Sequence, residues 1–99
     1  MLRLARDGVA LVLGAQSLGV NLRRLMLSDC HVDGQGRLWL ARAPQAELGA
    51  DTEVAWAACL DWFGMCLKMS RDKTMVTRLR QASEHSKNPN QLLKRLYLL

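Results

Sequence analysis

The sequence predicts a mainly α, small α+β fold. It has one β-hairpin near residues 28–43, three C-terminal helices, and a segment at 2–13 that reads either as a second short hairpin or as helix. Three observations predict it. Residues 52–69, TEVAWAACLDWFGMCLKM, carry only Glu53, Asp61 and Lys68 as charges, and at about 100° per residue those three share one narrow stripe with Ala57 and Gly64. Asp33-Gly34-Gln35-Gly36 stands between an apolar-rich run ending at Val32 and Arg37–Ala43, in which Leu38 and Leu40 alternate with Trp39 and Ala41; this is a hairpin pattern. Asn88-Pro89 followed by Gln91 supplies a capping Asn, a proline at the first helical position and a reciprocal Gln.

Taken in order, Leu2 and Leu4 alternate with Arg3 and Ala5 ahead of Arg6-Asp7-Gly8, and Val9 to Leu13 is a short apolar run closed by Gly14. That pattern suits a hairpin at 2–13. Helix is the competing reading, with Gly8 and Gly14 each costing about 1 kcal/mol relative to alanine. Helix is expected for Gln16–Leu27, the hairpin over 28–43, and a leading loop over Pro44–Asp51. Asp51 is a candidate N-cap for 52–69, with Glu53 favourable in the first turn. A further helix runs from a cap at Asp72 or Ser70 to about His85, with Met75, Val76, Leu79 and Ala82 at helical spacing. Leu92, Leu96 and Leu99, with Leu93 beside them, form the apolar face of the last helix.

At 99 residues the chain is one domain, 1–99, of a size that buries roughly 60–65% of its unfolded surface. Hydrophobic residues make up 49% and charged residues 23%, a globular balance that argues against disorder. No segment offers the roughly 20 clean apolar residues of a membrane span, and 2–13 lacks the uninterrupted core of a secretory signal. Integral membrane insertion is not expected, and the reading is cytoplasmic. The three cysteines are odd in number and irregular in spacing, which argues for reduced thiols rather than a disulfide framework.

The net charge of +5 is unevenly placed. Residues 1–66 hold six basic and seven acidic side chains, and residues 67–99 hold eight basic and two acidic ones. The C-terminal third therefore suits an anionic partner. Lys73, Arg80 and Lys87 fall along one flank of the 72–85 helix, and Arg71 and Arg78 along the other.

Ala15, Gly19, Val20 and Leu25 stand where a helix-turn-helix core places its small residue, turn glycine and second-helix anchors, and the segment resembles that motif. The resemblance implies a second helix presenting Asn21, Arg23 and Arg24 to nucleic acid, with Arg37 at the tip of a following wing. The soft ligands Cys30, His31, Cys59, Cys66 and His85 form no C-x-x-C or H-x-x-x-H pair, so neither a metal nor any other cofactor is expected. No phosphate-loop, dinucleotide or nucleophile-elbow motif occurs. An enzyme is not expected.

The 52–69 helix is apolar around most of its circumference, more than 99 residues can readily cover. A homodimer is therefore expected, with Trp56, Cys59, Trp62, Phe63 and Cys66 at the dimer or partner interface. Two functions fit. The first is a small, basic, dimeric nucleic-acid-binding regulator of helix-turn-helix type, contacting phosphate and bases through Asn21, Arg23, Arg24, Arg37, Arg71, Lys73, Arg78, Arg80 and Lys87. The second is a protein-interaction module, such as an adaptor, secretion chaperone, antitoxin or phage-type inhibitor, that meets a partner through an apolar helical surface and steers acidic targets with its basic end.

Overall fold

The structure, a computed structural model, describes residues 1–42 and 45–99, the side chains of Arg24 and Gln45 excepted. Among these residues the order is α1 (Leu2–Ser17), β1 (Val20–Arg24), a 3-10 turn at Leu27–Asp29, β2 (Cys30–Val32), β3 (Leu38–Leu40), β4 (Gln45–Leu48), α2 (Thr52–Met69), α3 (Lys73–Glu84) and α4 (Pro89–Tyr97). The fold is mainly α with a small β component, and three helices close the chain as the sequence predicts. The expected end of the first hairpin at Ala43, and Pro44 of the leading loop, lie outside the described residues.

The N-terminal quarter departs from expectation. Residues 2–13 form helix rather than a hairpin, and the helix continues to Ser17. Ala5, Gly8, Val9 and Val12 recur at helical spacing and are buried, and tertiary contact overrides the local glycine cost. Gly8 is where the indole of Trp62 lies against the helix, with no room for a Cβ beneath the ring. The Trp62 Nε1–H donates to the Leu4 carbonyl at 3.1 Å, so the ring is buried without an orphaned donor.

Helix α1 stops at Leu18, and Gly19 turns the chain with φ of +78°, a left-handed conformation that glycine adopts at little cost. The helix expected over Gln16–Leu27 therefore does not form past Ser17. Val20–Arg24 is a strand instead, antiparallel to Gln45–Leu48, with Val20 opposite Leu48 and Leu22 opposite Ala46. What holds it extended is distant in sequence. Leu22 and Leu25 are buried in the core, and Asn21 Oδ1 accepts the Asp51 N–H at 2.8 Å. Residues 45–48 of the expected loop at 44–51 are thus the strand β4.

The β2–β3 pair lies within the expected hairpin, with Val32 opposite Leu38, His31 opposite Trp39 and Cys30 opposite Leu40. Its turn is organised by Asp33, whose Oδ1 accepts the Gln35 and Arg37 N–H groups at 2.9 Å each and whose Oδ2 accepts the Trp39 indole N–H at 3.0 Å. These donors, the Arg37 amide foremost, hold the Asp33 carboxyl below its ordinary value. In sequence the β2–β3 pair is nested between β1 and β4, and the β1–β4 ladder carries a register shift between Leu22 and Arg24.

The three later helices start where their caps predict. The Asp51 carboxylate accepts from Glu53 and Val54, Asp72 from Thr74 and Met75, and Asn88 from Gln91. Helix α2 buries Ala55, Ala58, Cys59, Trp62, Phe63 and Cys66 and leaves Glu53, Ala57, Asp61 and Lys68 exposed, the stripe that its spacing defines. Leu79 and Ala82 of α3 and Leu92 and Leu96 of α4 complete one core with α1 and β1. Arg6 fastens α4 to α1. Its Nε and Nη2 donate to the Leu96 carbonyl at 3.0 and 2.7 Å, and its guanidinium lies 4.8 Å from the Tyr97 ring centroid.

Candidate functional site

The core face of α1 carries Ala5, Gly8, Val9 and Val12, yet its opposite face is also apolar. Ala10, Leu11, Gly14, Ala15 and Leu18 line an open groove of about 860 Å³ between α1 and β3, with Leu22 of β1 at its base. Leu18 is 83% exposed, Trp39 54% and Leu40 43%, so the described residues leave much of their surface uncovered. The volume falls in the range of ligand-sized sites, and an uncovered apolar groove on a small domain marks a contact surface. A helix that is apolar on both sides was the available sequence signal, hidden by the ambiguity of 2–13.

The groove meets β3 along its unpaired edge. Asp33 N donates to Arg37 O at 3.0 Å and Ala41 N to Asp29 O at 2.8 Å, which makes 33 with 37, 31 with 39 and 29 with 41 the hydrogen-bonded pairs of the ladder. Leu38 and Leu40 occupy the alternate positions, so their N–H and C=O groups turn away from β2. Among the described residues these groups have no partner. The three successive residues Leu38, Trp39 and Leu40 all line the groove, as an edge does and a single face does not.

One end of the groove is charged. Arg3 Nη1 donates to the Gln35 carbonyl at 2.9 Å, and Arg37 Nη2 donates to the Gln35 side-chain oxygen. Asp7 also lies on this wall, but neither arginine forms an ion pair among the described residues, where the pairs are Arg23 with Glu47 and Arg42 with Asp29, each at 3.1 Å.

The residues expected to read nucleic acid do not form one surface. Asn21 is 4% exposed and serves as the acceptor that ties β1 to the start of α2, so it cannot reach a base. Arg23 is exposed but paired with Glu47, and the Arg24 side chain lies outside the described residues. Arg37 belongs to the groove. Arg71, Lys73, Arg78, Arg80 and Lys87 are all exposed, and Arg78 joins His85 and Arg95 around a depression of about 320 Å³ between α3 and the end of α4.

The interface expected on α2 is also corrected. Cys59, Trp62, Phe63 and Cys66 are at most 1% exposed, because α1, α3, α4 and β1 share the covering that the sequence assigned to a second chain; Trp56 is half-buried against the same core. Burial pushes the Cys59 thiol up to about 12 and the Cys66 thiol up to about 11, opposite to the lowered value that activates a nucleophile. Burial and the neighbouring Asp29 raise Cys30 too. Among the described residues no three of His, Cys, Asp and Glu gather to hold a metal, and no helix is long and apolar enough to cross a membrane. No protein-family model, curated protein or solved structure matches the chain.

Proposed function

We propose that this chain is a non-enzymatic protein-interaction module that takes a segment of a partner into the groove between α1 and β3. The observation that carries the reading is the open apolar groove itself, lined together by the exposed Leu18, Trp39 and Leu40, while Trp62, Phe63, Leu79 and Leu92 are enclosed in the core. Three free cysteines suit a reducing compartment such as the cytoplasm. The test is selection of phage-displayed random linear peptides on the folded protein, with binders mapped by amide chemical shifts. Shifts confined to Ala10–Leu18 and Leu38–Leu40 support the reading. Selections that yield no binder in the groove refute it.

Nucleic-acid binding is a second reading, favoured by the eight Lys and Arg side chains of residues 68–95, exposed and without a carboxylate partner among the described residues. It needs no recognition helix, since phosphate contacts alone give sequence-independent, salt-dependent affinity. Replacing Arg78 or Arg80 by alanine should then lower the slope of log affinity against log salt by about one per lost phosphate contact. Absence of duplex DNA binding at low salt ends this reading and leaves the first intact.

A further inference from the structure

We infer that the groove receives an extended segment of a partner protein, paired edge to edge with β3. The segment is apolar at alternate residues and carries an acidic side chain at the end that meets Arg3 and Arg37. This rests on the groove being the partner site and says what enters it.

Three independent features converge on that occupant. The N–H and C=O groups of Leu38 and Leu40, unpaired among the described residues, turn away from β2 on a strand that lines the groove, and an added strand satisfies such groups in register. Helix α1 lines the groove beside that edge. From Arg3 to Leu18 it rises roughly 22 Å, the length of about seven strand residues. A strand laid there turns alternate side chains onto Ala10, Leu11 and Leu18, and the others outward. At the hairpin end, two guanidiniums without a carboxylate partner among the described residues, against one Asp7, give a net positive rim, complementary to an acidic residue.

Gly14 agrees with a close backbone approach. It lines the groove, and a Cβ built on it has nothing within 4 Å. The fold itself therefore gives no reason for glycine at this helical position.

Peptides selected against the groove supply the test, because strand pairing leaves a signature that groove filling alone does not. N–H groups of an added strand point alternately to β3 and to solvent. N-methylation of every second residue in one register should abolish binding, and the complementary register should retain it. Leu38 and Leu40 amides should gain hydrogen-exchange protection in the complex. Gly14→Leu should block binding while the thermal unfolding curve of the free protein stays cooperative. Replacing Arg3 and Arg37 by glutamine should weaken the acidic peptides by up to about fivefold per lost pair and leave their acid-free versions unchanged.

Groove binders with an apolar i, i+3/i+4 pattern, or with equal response to both N-methyl registers, overturn strand pairing while the proposed function stands. A concentration-dependent dimer whose interface maps to Leu38 and Leu40 assigns the edge to a second copy and overturns the acidic partner. A selection with no groove binder overturns both the inference and the function beneath it.

Discussion

Gly8 and Gly14 sit on different faces of one helix, about 120° apart, and the same substitution should move stability in opposite directions at the two positions. At Gly14 an added methyl meets empty space, and Ala for Gly inside a helix stabilises by about 1 kcal/mol. At Gly8 the methyl falls within the van der Waals envelope of the Trp62 ring at Nε1, Cε2 and Cδ1. Trp62 is 0% exposed, so the ring can move only by disturbing its neighbours, an overpacking cost of about 1–3 kcal/mol. Displacing it also breaks the 3.1 Å bond to the Leu4 carbonyl, at roughly another 1–3 kcal/mol for a buried donor left unpaired.

Set against the propensity gain, Gly8→Ala should destabilise by about 3 kcal/mol. At about 4–8 °C per kcal/mol for a domain of this size, the midpoint should fall by roughly 12–24 °C, whereas Gly14→Ala should raise it by about 4–8 °C. Thermal unfolding followed by circular dichroism reads both. If Gly8→Ala melts at or above the wild type, the packing of Trp62 on α1 is wrong. Trp62→Phe, with its smaller ring, should recover part of the loss in the double variant, a coupling that independent sites do not show.

Three further outcomes follow from the same framework. Asn21→Ala removes the buried acceptor of the Asp51 N–H and should cost about 1–3 kcal/mol in denaturant unfolding; an unchanged midpoint would contradict that structural role. Arg6→Met removes both donors to the Leu96 carbonyl and should lower stability by about 2 kcal/mol, with amide exchange accelerating first in α4. Cys59 and Cys66 titrate above their ordinary value of 9.0, at about 12 and about 11 in the folded chain. The folded state thus holds protons that the unfolded state releases, and stability should fall as pH rises from about 9 toward 12. At the lower end of that window iodoacetamide should label Cys30 well before the other two; equal labelling by mass spectrometry would refute their burial.

The parts of the fold legible in the sequence are those written locally. Asp51, Asp72 and Asn88 announce α2, α3 and α4 because a cap is a contact over two or three residues, and Asp33-Gly34-Gln35-Gly36 announces the β2–β3 turn for the same reason. The first 27 residues hid their structure because what decides it lies far away. Gly8 reads as a helix breaker until Trp62 is placed on it, and Val20–Arg24 reads as helix until Gln45–Leu48 is paired with it. Gln45-Ala46-Glu47-Leu48 has little strand character of its own. The misplaced interface followed from that gap: with 2–13 unassigned, α2 lacked its largest neighbour, and its missing cover was given to a second chain. The groove stayed unseen with it, since its wall is the far side of the helix left undecided.

The grip of Arg6 on Leu96 spans 90 positions of sequence. Contacts of such separation slow folding, because a long loop must close before they form. While the chain is being synthesised, α1 emerges first and waits for α4, and the apolar sides of α2 stand open through most of that interval. The hazard of this molecule is therefore concentrated in time. It should be most prone to aggregate before α4 leaves the ribosome, and a deletion that removes α4 should make that transient exposure permanent.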